Sequence, residues 1–199
     1  MYRGRIPNTE VAARRGTRCI LVRSLLTACA PAGFPQGTVP ASAPGPGLLT
    51  ELAAPAVMDL ADVWGMDNAQ NKVGVWTTSR EIHFIFAHGA RTSVSLPDDR
   101  MVVSIAPCLR KTHPCKDHTP SRCRGEQADV AVKVKAATAE GRAVLDMATK
   151  TLPNGFVDLW LPRNEKIDVT IAALGLTATQ RIGTSDADFT CVTTMELHY

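Results

Sequence analysis

The sequence predicts a mainly β protein of the α+β class, with an antiparallel, β-sandwich-like C-terminal domain after a small, partly helical N-terminal region that also has strands. Residues 128–199 contain short segments rich in β-branched residues, and Gly, Pro, Asn and Asp separate these segments. Apolar residues alternate with mostly polar or small ones at Val130, Val132 and Val134. Such alternation is the period of a strand with one buried face. With 199 residues and 45% hydrophobic content, the chain can bury a real core.

The N-terminus predicts export. A basic stretch ending at Arg18 precedes an apolar run, and Leu26-Thr27-Ala28-Cys29 resembles a bacterial lipobox. We therefore expect residues 1–28 to be a lipoprotein signal peptide and Cys29 to carry the lipid that anchors the protein to a membrane. The alternative is an ordinary secretory signal cleaved near Ala28 or Ala32. Both place the protein in the periplasm or on the outer cell surface. Residues 29–47 are rich in Pro, Gly and Ala, which predicts an extended tether.

Charge argues against a nucleic-acid partner. The formal net charge is +3, but residues 1–28 alone contain six Arg and one Glu, which is +5, so the remainder carries −2. This balance does not imply a nucleic-acid partner, and none is expected.

Residues 48–127 are predicted to form an N-terminal region with a cysteine/histidine loop. Apolar spacing between 48 and 64 suggests one or two short helices broken at Pro55. Strands are predicted at 81–86, 92–96 and 101–105, and then, within the domain 128–199, at 130–136, 143–149, 155–161, 166–172, 176–182 and 190–197. Met101, Met147 and Met195 fall in strand patterns, so we interpret them as core rather than as copper ligands.

Three cysteines give the most specific chemical signal. Cys115 and Cys123 lie in a loop with five Lys and Arg residues between 110 and 124, and Cys191 lies near the C-terminus. Neighbouring cations lower a thiol pKa, so this loop predicts reactive thiolates if the thiols are exposed. If folding brings the three sulfurs together, they form a soft site suited to Cu(I) or Zn(II).

The residues alone leave several alternatives open. In an exported protein, an even set of cysteines usually forms disulfides, and by spacing alone that interpretation is favoured over a metal site. Cys115-x-x-His118 is compatible with zinc if Cys123 and Cys191 complete the site. We interpret His113 and His118 as loop hydrogen-bonding groups or neighbours of the ligands, although either could be an accessory ligand. Serine nucleophile triads, phosphate loops and paired-carboxylate motifs are absent from the sequence, so no catalytic residues are predicted.

Several motifs in order resemble CueP, the periplasmic copper-binding protein family of bacteria. They lie between residues 93 and 197 and read SLPDD (95–99), VSIAP (103–107), THPC (112–115), CRGE (123–126), NGFVDLWLP (154–162) and TCVTTM (190–195). The resemblance implies that Cys115, Cys123 and Cys191 are the copper-binding cysteines. It also implies reduction of Cu(II) by the thiols and supply of copper to a Cu/Zn superoxide dismutase.

The chain departs from the family in two places. Cys108 stands where the family motif usually has Tyr, so it is either a resolving thiol, an accessory ligand or a packing residue. Residues 48–91 do not match the family pattern, which leaves a possible homodimer undecided. We expect an exported, membrane-anchored protein that holds Cu(I) and is a binding protein rather than an enzyme. The alternatives are a disulfide-stapled surface lipoprotein with a structural or adhesion role, and a zinc-binding protein.

Overall fold

The computed structural model describes residues 49, 52–66, 73–110 and 112–199. The predicted signal peptide, the tether and Cys29 lie outside these residues. Among these described residues, a helix from Ala54 to Met66 precedes ten strands, and the fold class predicted from the sequence is confirmed. In chain order the elements are α1 (Ala54–Met66), β1 (Gly74–Thr77), β2 (Glu81–Ile85), β3 (Arg91–Ser95), β4 (Arg100–Ile105), β5 (Ala131–Thr138), β6 (Ala143–Lys150), β7 (Val157–Pro162), β8 (Lys166–Ala173), β9 (Leu176–Gly183) and β10 (Cys191–Val192). Within the described residues, no helix has the length and apolarity needed to cross a membrane.

The strands form three sheets. Their orders are β1-β2-β3, β10-β4-β7 and β6-β5-β8-β9. All pairings are antiparallel except that of β10 with β4, which is parallel and places Cys191 opposite Ser104. The β10-β4-β7 sheet, which we call the central sheet, contacts the other two layers through its opposite faces.

Two hydrophobic cores follow from the alternation along β4 and β7. One face of the central sheet packs against the four-stranded sheet, and the residues of β4 and β7 in this sandwich core are Met101, Val103, Ile105, Val157, Leu159 and Leu161. The other face packs against α1 and β1–β3 through Val102 and Trp160. Met195 also lies in the sandwich core and Met147 packs against it, so the interpretation of these methionines as core residues is confirmed.

The structure differs from the predicted elements at three points. Pro55 lies in the first turn of α1, where a missing N–H leaves no helical hydrogen bond unmade, so it begins the helix rather than breaking it. The sequence interpretation missed β1, a strand of only four residues. The predicted strand 190–197 shortens to the two residues of β10, because the chain beyond Val192 makes only isolated bridges, such as the one between Cys108 and Glu196.

Candidate metal centre

Segments from two distant parts of the chain build the site. The Cys115 loop leaves the end of β4 and runs beside residues 190–193. The backbone N–H groups of Thr190 and Cys191 donate to the Lys116 carbonyl at 3.0 and 3.1 Å. The Thr193 hydroxyl donates to the His113 carbonyl at 2.5 Å, and the Thr112 hydroxyl donates to the Thr193 carbonyl. These bonds hold Cys115 next to the start of β10, where Cys191 lies.

A tight turn positions Cys123. The Cys123 N–H donates to the Thr119 carbonyl at 2.8 Å, and the Thr119 N–H points back to the Cys123 sulfur at 3.4 Å. Two residues later the chain touches the loop before β7, because a Cβ on Gly125 would lie 2.5 Å from the Gly155 carbonyl oxygen. Only glycine allows so close an approach of two backbones. The Gly125 N–H donates to Asn154 O at 2.6 Å and fixes the contact.

The structure brings the three predicted cysteines together. Cys115 and Cys191 form a disulfide with a Cα–Cα distance of 5.5 Å, and the Cys123 sulfur lies 3.4 Å from that of Cys115. With His113 they form a group whose possible ligand atoms all lie within 4.8 Å of one another. Cys123 and Cys191 are buried and Cys115 is half-buried. Once the disulfide is reduced, three sulfurs and one imidazole would face a single point.

The two histidines differ in their positions. His113 belongs to the four-residue group, and its Nε2 has no protein hydrogen-bond partner. His118 lies outside the group but is completely buried, with Nδ1 3.9 Å from the Cys191 sulfur and an unpartnered Nε2. Burial lowers the pKa of His118 to about 4, so its imidazole is neutral at neutral pH. The aromatic ring of Phe156 packs against both imidazoles, at centroid distances of 6.4 Å for His113 and 4.5 Å for His118.

The predicted lowering of the thiol pKa required an exposed thiol, and Cys123 is buried. Burial raises the pKa of its thiol, and the Thr119 N–H and the Arg124 charge offset this only in part. The Arg124 guanidinium donates to the carbonyls of Pro120 and Cys123 and so stabilises the backbone of the turn. Cations that lie close in the sequence therefore lower the pKa of the Cys123 thiol less than expected, because desolvation of the sulfur dominates.

Cys108 is not part of this group. It is buried, its sulfur lies 3.7 Å from the Met195 carbonyl, and it is one of two free cysteines among the described residues, the other being Cys123. Burial, followed by the charges of Glu126 and Glu196, raises the pKa of its thiol. These surroundings are those of a small packing residue in a protonated state.

A groove gives access to the disulfide from solvent. It has a volume of about 650 Å³ and is lined by the Cys115 loop, the end of β9 and the segment that carries Cys191. Both disulfide cysteines line it, and the side chain of Phe189 at its border is half exposed. Solvent therefore approaches the Cys115–Cys191 disulfide through this groove.

Comparison with known proteins identifies the family. A family model described as "Periplasmic copper-binding protein CueP" matches residues 66–196. The fold is similar to the crystal structure of S.CueP, with 28% sequence identity, a TM-score of 0.66, and coverage of 73% of this chain and 90% of that chain. No curated protein matches.

The family match corrects one expectation from the sequence. Residues 48–91 were expected to depart from the family pattern, but the match begins at residue 66 and includes β1, β2 and β3. These short strands lack distinctive motifs, so only the segment from 93 onward carried the resemblance. The matched region also contains Cys115, Cys123 and Cys191. The chain belongs to the CueP family of periplasmic copper-binding proteins.

Proposed function

We propose that the reduced protein holds Cu(I) through the thiolates of Cys115, Cys123 and Cys191 outside the cytoplasm. The observation that carries this proposal is the convergence of three sulfurs from distant positions in the sequence, two of them buried, beside a groove open to solvent. Soft sulfur ligands in a set of two or three favour Cu(I), whereas zinc requires a fourth ligand. The thiols of this site must be reduced before they can bind metal.

The same thiols provide electrons for Cu(II). Two Cu(II) ions each accept one electron, Cys115 and Cys191 release two protons, and their sulfurs join in one disulfide. The support for this step is that these two cysteines are already within bonding distance. The Cu(I) produced would then pass to a partner such as a Cu/Zn superoxide dismutase. A lipid on Cys29 and the tether 29–47 would keep the domain at the membrane.

Metal competition tests the Cu(I) site. Reduced, oxygen-free protein is titrated with Cu(I) against a chelator, and Cys115→Ser, Cys123→Ser and Cys191→Ser are each expected to weaken retention by more than about tenfold, because each removes a soft ligand. Cys108→Ser is the matched control, since Cys108 is buried and free but outside the group. Retention unchanged in all three site variants would contradict the proposal.

Zinc is the second candidate for this site, and the same titration decides between the metals. His113 lies in the group and its Nε2 has no partner, an arrangement that also suits zinc in a site of three cysteines and one histidine. Zn(II) retention that exceeds Cu(I) retention and is lost in His113→Ala would favour zinc. Failure of the reduced protein to bind either metal would leave the disulfide as a structural staple, as in the surface-lipoprotein alternative.

A further inference from the structure

The hydroxyl of Thr190 joins three segments next to the cysteine site. Thr190 directly precedes Cys191 and is 1% exposed. Its hydroxyl donates to the carbonyl of Thr77, the last residue of β1, at 2.6 Å. The same oxygen accepts the backbone N–H of His118, in the loop that holds the other two cysteines of the site, at 2.9 Å. A hydroxyl has a single proton and two lone pairs, so these bonds use its proton and one lone pair.

The end of β1 contacts both the loop and the helix. The Thr77 N–H donates to the His118 carbonyl at 2.8 Å, which makes an isolated antiparallel bridge between β1 and the loop. The Thr77 hydroxyl donates to the Met58 sulfur of α1 at 3.7 Å. The Thr190 hydroxyl therefore attaches the segment that carries Cys191 to a strand end that is already fixed to the loop and to α1.

Other bonds join the loop and the Cys191 segment directly to each other. The Lys116 carbonyl accepts the N–H groups of Thr190 and Cys191, and the Thr193 hydroxyl donates to the His113 carbonyl. The Thr190 hydroxyl adds the end of β1 as a third partner. Separation of the loop from Cys191 would therefore break bonds to β1 as well.

From this arrangement we infer that the Thr190 hydroxyl holds Cys191 opposite Cys115 when the disulfide is open, and that β1 is thereby part of the support of the cysteine site. Thr190 is a positioning residue, because it acts through Cys191 and not by contact with an ion. The inference deepens the proposed function and rests on it for copper, since a preordered Cys191 would bind Cu(I) at a smaller entropic cost. The effect on the disulfide can be measured without metal.

Removal of the hydroxyl should affect the open and closed forms of the disulfide unequally. Thr190→Val replaces the hydroxyl by a methyl group of similar size, so the buried His118 N–H and the Thr77 carbonyl lose this partner. In the open form the loop and the Cys191 segment can separate, and water can then reach both groups. The disulfide prevents this separation in the closed form. The substitution therefore destabilises the closed form more and lowers the equilibrium constant for closing the disulfide.

Equilibration with glutathione tests the inference. In the closing reaction, two protein thiols and one oxidised glutathione give one protein disulfide and two reduced glutathione molecules. The metal-free full chain is equilibrated near neutral pH over a range of glutathione ratios, quenched with acid and alkylated, and peptide mass spectrometry quantifies the Cys115–Cys191 disulfide. Thr190→Val should lower the equilibrium constant by at least about threefold, and Thr190→Ser, which retains the hydroxyl, should restore it to within about twofold.

Thr151→Val is the matched control. Thr151 is 2% exposed, and its hydroxyl donates to the Gln127 carbonyl at 2.6 Å and accepts the Val130 N–H at 2.9 Å, in a contact that involves none of the three cysteines. A purely structural hydroxyl lowers the free energy of unfolding of the open and closed forms equally. Thr151→Val should therefore weaken the fold in urea but leave the equilibrium constant within about twofold of that of the unsubstituted chain.

Three outcomes of the glutathione experiment would overturn the inference. The first is an equilibrium constant of Thr190→Val that matches that of the unsubstituted chain. The second is a decrease that Thr190→Ser does not restore, because the shape of the side chain and not its hydroxyl would then be responsible. The third is an equal decrease in Thr151→Val, because the effect would then be general to buried hydroxyls.

Hydrogen exchange of the unsubstituted chain decides the matter if Thr190→Val does not fold. When the disulfide is reduced, the His118 amide should lose no more protection than the core amides of β8, because its acceptor on Thr190 stays in place. A loss that exceeds that of the β8 amides by more than about tenfold would reject the inference. Since no metal is added, these outcomes are independent of whether the copper titration succeeds.

Discussion

The two faces of the central sheet are built from the same two strands but differ in chemistry. The face toward the four-stranded sheet carries only apolar residues from β4 and β7, all of them buried. The opposite face carries the apolar pair Val102 and Trp160 and, toward the end of β4, the polar pair Ser104 and Asp158, which are direct partners across the strands. We call the first face the uniform face, because it packs wholly within the sandwich core and every residue on it is apolar. We call the second the mixed face, because its residues change from apolar to polar along the strands.

The polar end of the mixed face is the end near the cysteines. Ser104 is also the partner of Cys191 across the parallel pairing, and Asp158 acts on His118. Among the described residues, the side chains in or near this region with a buried polar atom that lacks a protein partner are Ser104, His113, His118, Asn154, Asp158 and, on α1, Asp62. Unsatisfied buried groups reduce stability and are concentrated at functional sites in natural proteins. One face of the sheet therefore stabilises the fold, and the other supports the site.

Leu159→Ala is expected to have the largest effect on stability. Leu159 is 1% exposed in the sandwich core, so truncation removes buried apolar surface and leaves a cavity, which lowers the free energy of unfolding by about 2–5 kcal/mol. Urea denaturation measures the change, with Val63→Ala, an exposed aliphatic on α1, as the control. Cu(I) retention well below the melting temperature should be unaltered. Lost retention in a folded variant would show that the two faces are not separable.

Reduction of the Cys115–Cys191 disulfide should have the next largest effect. The bond joins residues 76 positions apart, and opening it restores conformational entropy to the unfolded chain, which lowers the free energy of unfolding by about 2–4 kcal/mol. Urea denaturation with and without a reductant measures the difference, and Cys191→Ser without reductant should reproduce it. Added Cu(I) should restore part of the lost stability, because a ligand bound only to the folded state stabilises it. No restoration by Cu(I) would argue for a purely structural disulfide.

The sequence predicted the strands of the sandwich far better than it predicted the geometry of the site. The alternation in β5 and β8 and the turns around them located these strands to within two residues, because a period of two with apolar residues on one side is characteristic of a half-buried strand. Convergence of Cys115, Cys123 and Cys191 followed from the family motifs and not from spacing. The raised pKa of the Cys123 thiol could not be predicted, since it depends on burial by residues distant in the sequence.

Ser104→Ala tests with the smallest change whether the mixed face contributes to stability. It removes a single oxygen atom from β4, on the face opposite to the one that carries Val103. The Ser104 hydroxyl is buried and has no protein partner, so its removal leaves no other group unpaired. The backbone N–H of Ser104, which donates to Thr190 O at 2.8 Å, is unaffected by the substitution. We therefore expect the free energy of unfolding to change by less than about 1 kcal/mol, in either direction. Ser95→Ala, at an exposed position on β3, is the control for loss of a solvated hydroxyl.

A decrease in the free energy of unfolding of Ser104→Ala by more than about 2 kcal/mol would mean that the Ser104 hydroxyl makes a strong hydrogen bond in solution, for example to the Asp158 carboxylate. In that case the polar end of this face would contribute to stability as the apolar face does, and the division between a stabilising face and a site-building face would fail.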